Sequence, residues 1–235
     1  MNDIDNQAVK AFWDKRAEMP LSQEQINFTS LNDKLGKEKY EYEKKKLKKV
    51  MRVRPTDTIL DLGAGWGRLI LQLNLHKRAE MILAVDYCEG LTRKGKEYFE
   101  SFDIKNVLFE TASAGDFRST TQFDTIIISG VLLFLNDDEI EKLIKNIRGY
   151  SRIGTRLYLR DNTGITGRYV IKEKYSEELK TNYNAIYRSR EELIDIFKRA
   201  GFDLIKDEDM FPEGSILNRR KETRSRLYIF ERKGD

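Results

Sequence analysis

With 235 residues, 40% of them hydrophobic and 35% charged, the chain is long enough to bury the core of one α/β domain with extensions. Its 43 Lys and Arg nearly cancel 39 Asp and Glu, and the remaining charge of +4 is too small to imply a nucleic-acid partner. A single cysteine, Cys88, and a single histidine, His76, exclude a disulfide framework and a thiolate or histidine metal cluster.

Residues 1–54 read as an N-terminal helical cap. The opening MNDIDNQ carries acids where a signal peptide would carry positive charge, and the longest apolar run, 126–135, is far too short to span a bilayer, so a soluble cytoplasmic protein is expected. Val9, Phe12 and Trp13, with Arg16 a turn later, give a short helix an aromatic and basic face; capping of a sheet edge by Trp13 is the alternative. From Gly36 to Met51 lysines surround Tyr40, Leu47, Val50 and Met51 at helical intervals. Because Glu38, Glu41 and Glu43 are interleaved, a solvated face is expected there, with RNA or membrane contact as the alternative.

The segment TILDLGAGWGRLI at 58–70 is a strand, a tight turn and a helix start. Ile59, Leu60 and Leu62 suit a buried parallel strand, and Leu69, Ile70 and Leu73 the core stripe of a helix. Between them Gly63, Gly65 and Gly67 strip Cβ atoms from one bend, so a ligand can lie against bare backbone. The dinucleotide fingerprint wants a glycine where Arg68 stands, and no GxxxxGK[ST] run is present. The next apolar strand, 81–85, ends at Asp86, where a carboxylate can accept hydrogen bonds from a ribose diol.

A helix over 89–102 and a strand over 106–110 continue the alternation, which implies right-handed crossovers and a parallel sheet. FDTIIIS at 123–129 is the most strand-like run and belongs at the centre. Asn136 or Asp137 then caps a helix reaching Arg148, and a fifth strand over 156–159 leads to Arg160, Asp161 and Asn162. An insertion at about 162–190 holds Tyr169, Tyr175, Tyr183 and Tyr187 with Arg168, Arg188 and Arg190, a composition suited to a lid over a polar acceptor. A self-packed lid or a homodimer contact is the alternative. Ser189 opens the last core helix, Gly201 ends it, and strands over 202–205 and 226–231 close the sheet around an exposed loop.

The run D-x-G-x-G-x-G at Asp61, Gly63, Gly65 and Gly67, with Asp86 in register, resembles the first motif of class I S-adenosylmethionine (SAM) methyltransferases, a resemblance covering about residues 58 to 160. It implies a Rossmann-like, seven-stranded, mostly parallel sheet with one antiparallel strand over residues 55–235, SAM as cofactor and S-adenosylhomocysteine (SAH) as product. The implied cofactor contacts are Asp61, Gly63, Ala64, Gly65, Gly67 and Arg68 in the bend, and Asp86 and Tyr87 at the ribose. Ala112 and Ser113 fall at the adenine edge, and Ser129, Gly130 and Val131 beside the sulfonium. FWDKRA resembles the N-terminal segment of some small-molecule methyltransferases, which implies Trp13 over the pocket and Arg16 on the SAM carboxylate. No metal is implied.

Such a cofactor brings its own reactivity, so the protein must bind, align and exclude water. A sugar hydroxyl benefits from a general base, an amine needs a free lone pair, and a phosphate or carboxylate needs neither. Asp161 is the candidate base, with Tyr187 second; a purely structural Asp161 is the alternative. Arg160, Arg168 and Arg188, with Tyr40 and Tyr187, would suit a small anionic acceptor. The run YSEELKTNYNAIYRS resembles a segment of bacterial methyltransferases that tailor surface polysaccharides and small metabolites. The expected function is therefore methyl transfer to an oxygen of a sugar, sugar phosphate or phosphate derivative in bacterial surface polysaccharide biosynthesis. The alternatives are an N-methyltransferase acting on a small amine, an RNA methyltransferase, and a non-catalytic SAM-binding subunit.

Overall fold

The computed structural model describes residues 3–21, 33–176, 181–218 and 220–233. Residues 177–180, part of the run expected to form the lid, lie outside the described residues, as do residues 22–32 of the cap. Two helices precede the sheet, α1 (Asn6–Ala17) and α2 (Asp33–Val50). The first starts where Asp5 Oδ1 accepts the backbone N–H groups of Gln7 (2.8 Å) and Ala8 (3.1 Å), satisfying donors that have no intrahelical partner.

The chain then alternates as expected: β1 (Thr58–Leu62), a short α3 (Arg68–Gln72), β2 (Met81–Asp86), α4 (Glu89–Ser101), β3 (Val107–Thr111), β4 (Phe123–Ser129), α5 (Asp137–Ile147) and β5 (Ser151–Gly164). A hairpin of β6 (Tyr169–Ser176) and β7 (Thr181–Tyr187) follows, then α6 (Arg190–Arg199), β8 (Phe202–Asp209) and β9 (Thr223–Arg232). The main sheet has seven strands in the order β3-β2-β1-β4-β5-β9-β8, with β9 antiparallel to both neighbours, and β6–β7 forms a separate two-stranded sheet.

The pleat sends alternate residues to two cores. Leu60, Leu62, Ile126, Ile128, Leu157 and Leu159 meet α5 and α6 on one face, through Leu143, Ile147, Leu193 and Phe197. Ile59, Ile82, Ala84, Ile127 and Tyr158 meet α2, α3 and α4 on the other, through Leu47, Ile70 and Phe99. Both faces of the central strands β1 and β4 are covered, which is why they are apolar over most of their length, whereas the edge strand β3 is largely exposed.

Three expectations need correction. The fifth strand is 14 residues long rather than four, because its polar end is paired to β9 from Arg156↔Glu231 to Gly164↔Thr223. The segment between β8 and β9 is not simply exposed: Met210, Phe211 and Leu217 are buried, and Phe211 packs edge-on against Tyr42 of α2 at 5.6 Å. Nor is α2 only a solvated face. Lys45, Lys48 and Lys49 are exposed, but Leu47 is in the core and Glu43 is 2% exposed.

Candidate functional site

The carboxyl ends of β1, β2, β4 and β5 open onto a cavity of about 740 Å³. Its near wall is the glycine bend. Gly63 N and Ala64 N both donate to Val85 O, at 2.7 and 3.0 Å, while Gly65 N donates to Asp86 Oδ2 at 2.9 Å and Cys88 N to Asp86 Oδ1 at 2.9 Å. Bend and strand-end acid are therefore one hydrogen-bonded unit on one side of the sheet. Gly63 has φ +76°, and a Cβ there would lie 2.1 Å from Val131 Cγ2, so only glycine lets the bend meet the turn after β4.

Asp61 and Asp86 face this cavity with raised pKa values. Burial pushes Asp61 up to about 7, with Arg68 opposing and Asp86 assisting. Its carboxylate is 1% exposed and Oδ2 has no hydrogen-bond partner. An unpaired buried oxygen beside an open space is a place for a ligand's donor. Burial also raises Asp86, against the two backbone bonds that favour its ionised form.

Ala64, Gly65, Arg68, Tyr87, Ala112, Ser113, Ser129, Gly130 and Val131 line the same cavity, and Trp13 closes it from α1, edge-on to Phe134 at 5.5 Å. The structure leaves other sequence candidates outside the cavity. Gly67 (φ +84°) serves packing, since a Cβ there would stand 2.8 Å from the Phe99 ring. The Arg16 guanidinium lies over the Phe12 ring at 5.1 Å, with Nη1 3.8 Å from Met19 Sδ, and does not line the cavity. Tyr40 also stays outside: its carbonyl accepts from Gln72 Nε2 at 2.9 Å and Lys44 lies over its ring.

The charged residues assigned to the acceptor are largely occupied. Asp161 is 1% exposed and does not line the cavity; Oδ2 accepts Leu132 N at 2.9 Å and Oδ1 accepts Asn162 N at 2.8 Å. Burial raises it to about 6, but its work is to hold the turn after β4. Arg188 is buried and donates to the carbonyls of Leu132 and Leu135 and to Asp137, at 2.7, 2.8 and 2.7 Å. Arg168 pairs with Asp137 at 2.6 Å and Glu192 at 2.7 Å, off the cavity. Arg160 does line the cavity, but its Nη2 pairs with the buried Glu43. Burial would raise Glu43; Arg160, Lys39 and Arg68 outweigh it and leave the carboxyl lowered.

Tyr187 lines the cavity with Tyr183, their hydroxyls 3.5 Å apart, and burial raises both phenols. Sequence reasoning missed Phe211, Leu217, Asn218, Arg220, Thr223 and Ser225, which also line the cavity. The available signal was Met210, Phe211 and Leu217, apolar residues inside an otherwise charged loop. His76 sits edge-on to Phe99 at 6.4 Å, away from the cavity.

Residues 59–154 match the family model described as a methyltransferase domain. Phosphoethanolamine N-methyltransferase 1 of Triticum aestivum is 26% identical over 164 residues, which are 68% of this chain and 31% of that protein. The Zea mays protein of the same name is 25% identical over 178 residues, 74% of this chain and 34% of that protein, so the chain spans about a third of the length of these curated relatives. Among solved structures, the DhpI–SAH complex superposes with a TM-score of 0.67 at 15% identity, covering 97% of both chains. Haemonchus contortus phosphoethanolamine N-methyltransferase 1, in complex with phosphoethanolamine and SAH, gives 0.72 at 17% identity, covering 98% of this chain and 50% of that one. At these identities the structural likeness shows the fold: a Rossmann-like methyltransferase sheet.

Proposed function

We propose that this chain, whose residues 59–154 match a methyltransferase-domain model, binds SAM and transfers its methyl group to an already ionised oxygen of a small acceptor. The site fits the cofactor by its own features: a bend bare of Cβ atoms, a strand-end carboxylate bonded to that bend, and the unpartnered Oδ2 of Asp61. Asp86 would take the ribose diol, the backbone of Gly63 to Gly65 and Asp61 the methionine end, and Ala112 and Ser113 the adenine edge. Trp13 and Tyr87 would wall it in. When bound, SAM supplies an electrophilic methyl on sulfur.

The observation that carries the acceptor reading is the lack of a free base. Beyond Gly130 the described cavity wall offers Arg160, Asn162, Tyr183, Tyr187, Arg220, Thr223 and Ser225, with no imidazole; the carboxylate there, Glu139, already accepts the Asn136 backbone N–H at 2.8 Å and the Asn6 side-chain amide at 3.1 Å, and Asp116, on the Ser113 side, pairs with Lys142 at 3.6 Å. Asp61 and Asp86 belong to the glycine bend, Asp161 is spent on two backbone amides, and the tyrosines are held protonated by burial. A neutral hydroxyl would find nothing to take its proton, whereas a phosphate, phosphonate or carboxylate oxygen needs nothing taken. A sugar phosphate used in surface polysaccharide synthesis belongs to this class, in a cytoplasmic protein acting on soluble substrates. The names of the relatives favour a second reading, methylation of the nitrogen of a small phosphorylated amine. That acceptor would have to enter with its amine unprotonated.

The test is turnover with methyl-labelled SAM and a panel of small phosphates, phosphonates and carboxylates alongside phosphoethanolamine, the methylated atom located by mass spectrometry. Methyl on oxygen is expected, with kcat level above the acceptor's own pKa and Asp161→Asn within about threefold of wild type. Methylation of nitrogen alone, or loss of about a hundredfold or more in a folded Asp161→Asn protein, would reject the reading.

A further inference from the structure

Four arginines stand at or near the acceptor end, and three of them are neutralised from within the protein. Arg160 pairs with Glu43, Arg168 with Asp137 and Glu192, and Arg188 with Asp137 and two carbonyls. Arg220 differs. It lines the cavity, and among the described residues no carboxylate lies within ion-pair range of it. Its guanidinium carbon is 5.9 Å from the centroid of the Tyr187 ring, a contact that braces the cation without cancelling its charge.

A second polar group on the same wall is also unused. Ser225 lines the cavity at 8% exposure, and its hydroxyl has no hydrogen-bond partner. It lies on β9 opposite Asn162, which lines the cavity too. Buried hydroxyls are ordinarily satisfied, so a cation without an anion and a hydroxyl without a partner on one wall point to one kind of guest.

We infer that Arg220 is the specificity-determining residue of the acceptor site, anchoring a phosphate or phosphonate group with help from the Ser225 hydroxyl. This rests on the reading of the cavity as a methyl-transfer site. A guanidinium presents two parallel N–H donors to two oxygens of an anion. A third donor outside that fork suits a tetrahedral three-oxygen group better than a planar carboxylate, whose two oxygens the fork already satisfies. Tyr183, Tyr187 and Phe211 make the neighbouring wall aromatic, and Arg160 is already paired with Glu43, so Arg220 is the guanidinium left to orient the anion.

The experiment separates the anchor from the reaction. The full chain saturated with SAH is titrated with inorganic phosphate by calorimetry, for wild type, Arg220→Gln, Arg220→Lys and Ser225→Ala. Expected are saturable phosphate binding in wild type and at least a tenfold weakening in Arg220→Gln. Arg220→Lys should recover part of that loss, Ser225→Ala should weaken binding a few-fold, and SAH affinity should be the same in all four proteins. With a phosphorylated acceptor, Arg220→Gln should raise KM tenfold or more and change kcat much less. No phosphate binding to wild type, or equal binding to Arg220→Gln, would overturn the assignment. Phosphate binding that depends on Arg220 without methylation of any phosphorylated compound would leave the anchor standing and sink the methyl-transfer reading.

Discussion

At the proposed cofactor end of the cavity the wall residues from the sheet come from strand ends or the turns after them: Asp61, Gly63 to Trp66 and Arg68, Asp86 and Tyr87, Ala112 and Ser113, Ser129 to Val131. At the acceptor end the wall is assembled from α1, α2, the β6–β7 hairpin and residues 211–225, segments separated by up to two hundred positions. The first end is shaped by missing side chains and keeps an unsatisfied oxygen on Asp61. The second is dense in charge, yet most of that charge is consumed in joining its parts. A charged residue near a site is therefore a ligand candidate only after its internal partners are counted.

The pair that joins the parts most firmly is Glu43 with Arg160, from α2 to the end of β5, with side chains 3% and 13% exposed. Removing one partner of a buried pair leaves an uncompensated charge, which costs about 3–5 kcal/mol. For a chain of this size, Glu43→Ala should lower the melting temperature by roughly 10 °C. Replacing both residues, with Arg160→Met added, should recover much of it, since an apolar pair carries no such charge. A loss below about 1 kcal/mol in Glu43→Ala would mean that α2 is not pinned over the cavity by this contact and that the acceptor end is looser than described.

At the cofactor end, Asp86→Asn keeps the shape but replaces an acceptor-only group by an amide, one end of which must face a backbone N–H now held by Asp86. SAH affinity should fall about a hundredfold, or roughly 3 kcal/mol, by calorimetry. Phosphate binding at Arg220 should be unaffected, because the two ends share no hydrogen bond. Unchanged SAH binding would remove the ribose assignment; a parallel loss of phosphate binding would show that the ends are coupled.

The same contrast explains what could be read before the structure. Asp61, the glycines and Asp86 were legible because strand, bend and acid are near in sequence and each residue's type is dictated by local geometry. The parallel core followed from alternation and handedness and the central place of β4 from its apolar run, whereas the order of the strands around it was not read from the sequence. Arg188 could not be read: its partners Leu132, Leu135 and Asp137 lie more than fifty positions away, and nothing local distinguishes a buried guanidinium bonded to carbonyls from one facing a substrate. Asp161 misled in the same way, since a strand-end acid bonded to the amide of Leu132 looks in sequence like a strand-end base. Arg220 lay in a segment whose proline, glycine and charges spoke for a loop, while the buried Phe211 and Leu217 that fold it inward were outnumbered.

The smallest expected effect is the most direct check on counting partners first. Arg168 carries a side chain 26% exposed and shares Asp137 and Glu192, themselves 54% and 34% exposed, so water competes for all three. An exposed network of this kind contributes about 1 kcal/mol or less, and Arg168→Gln, which can still hydrogen-bond, should lower the melting temperature by no more than roughly 2–4 °C. Because Arg168 is off the cavity, KM for a phosphorylated acceptor and SAH affinity should both stay within about twofold, well under the 1.4 kcal/mol that a tenfold change represents. Asp137 would still be held by Arg188, so the turn after β4 keeps its anchor. Were KM instead to rise tenfold with the fold and SAH binding intact, the acceptor would reach past the cavity to the outer side of the hairpin. An internally paired arginine would then be serving a ligand as well, and internal pairing would no longer separate framework from site.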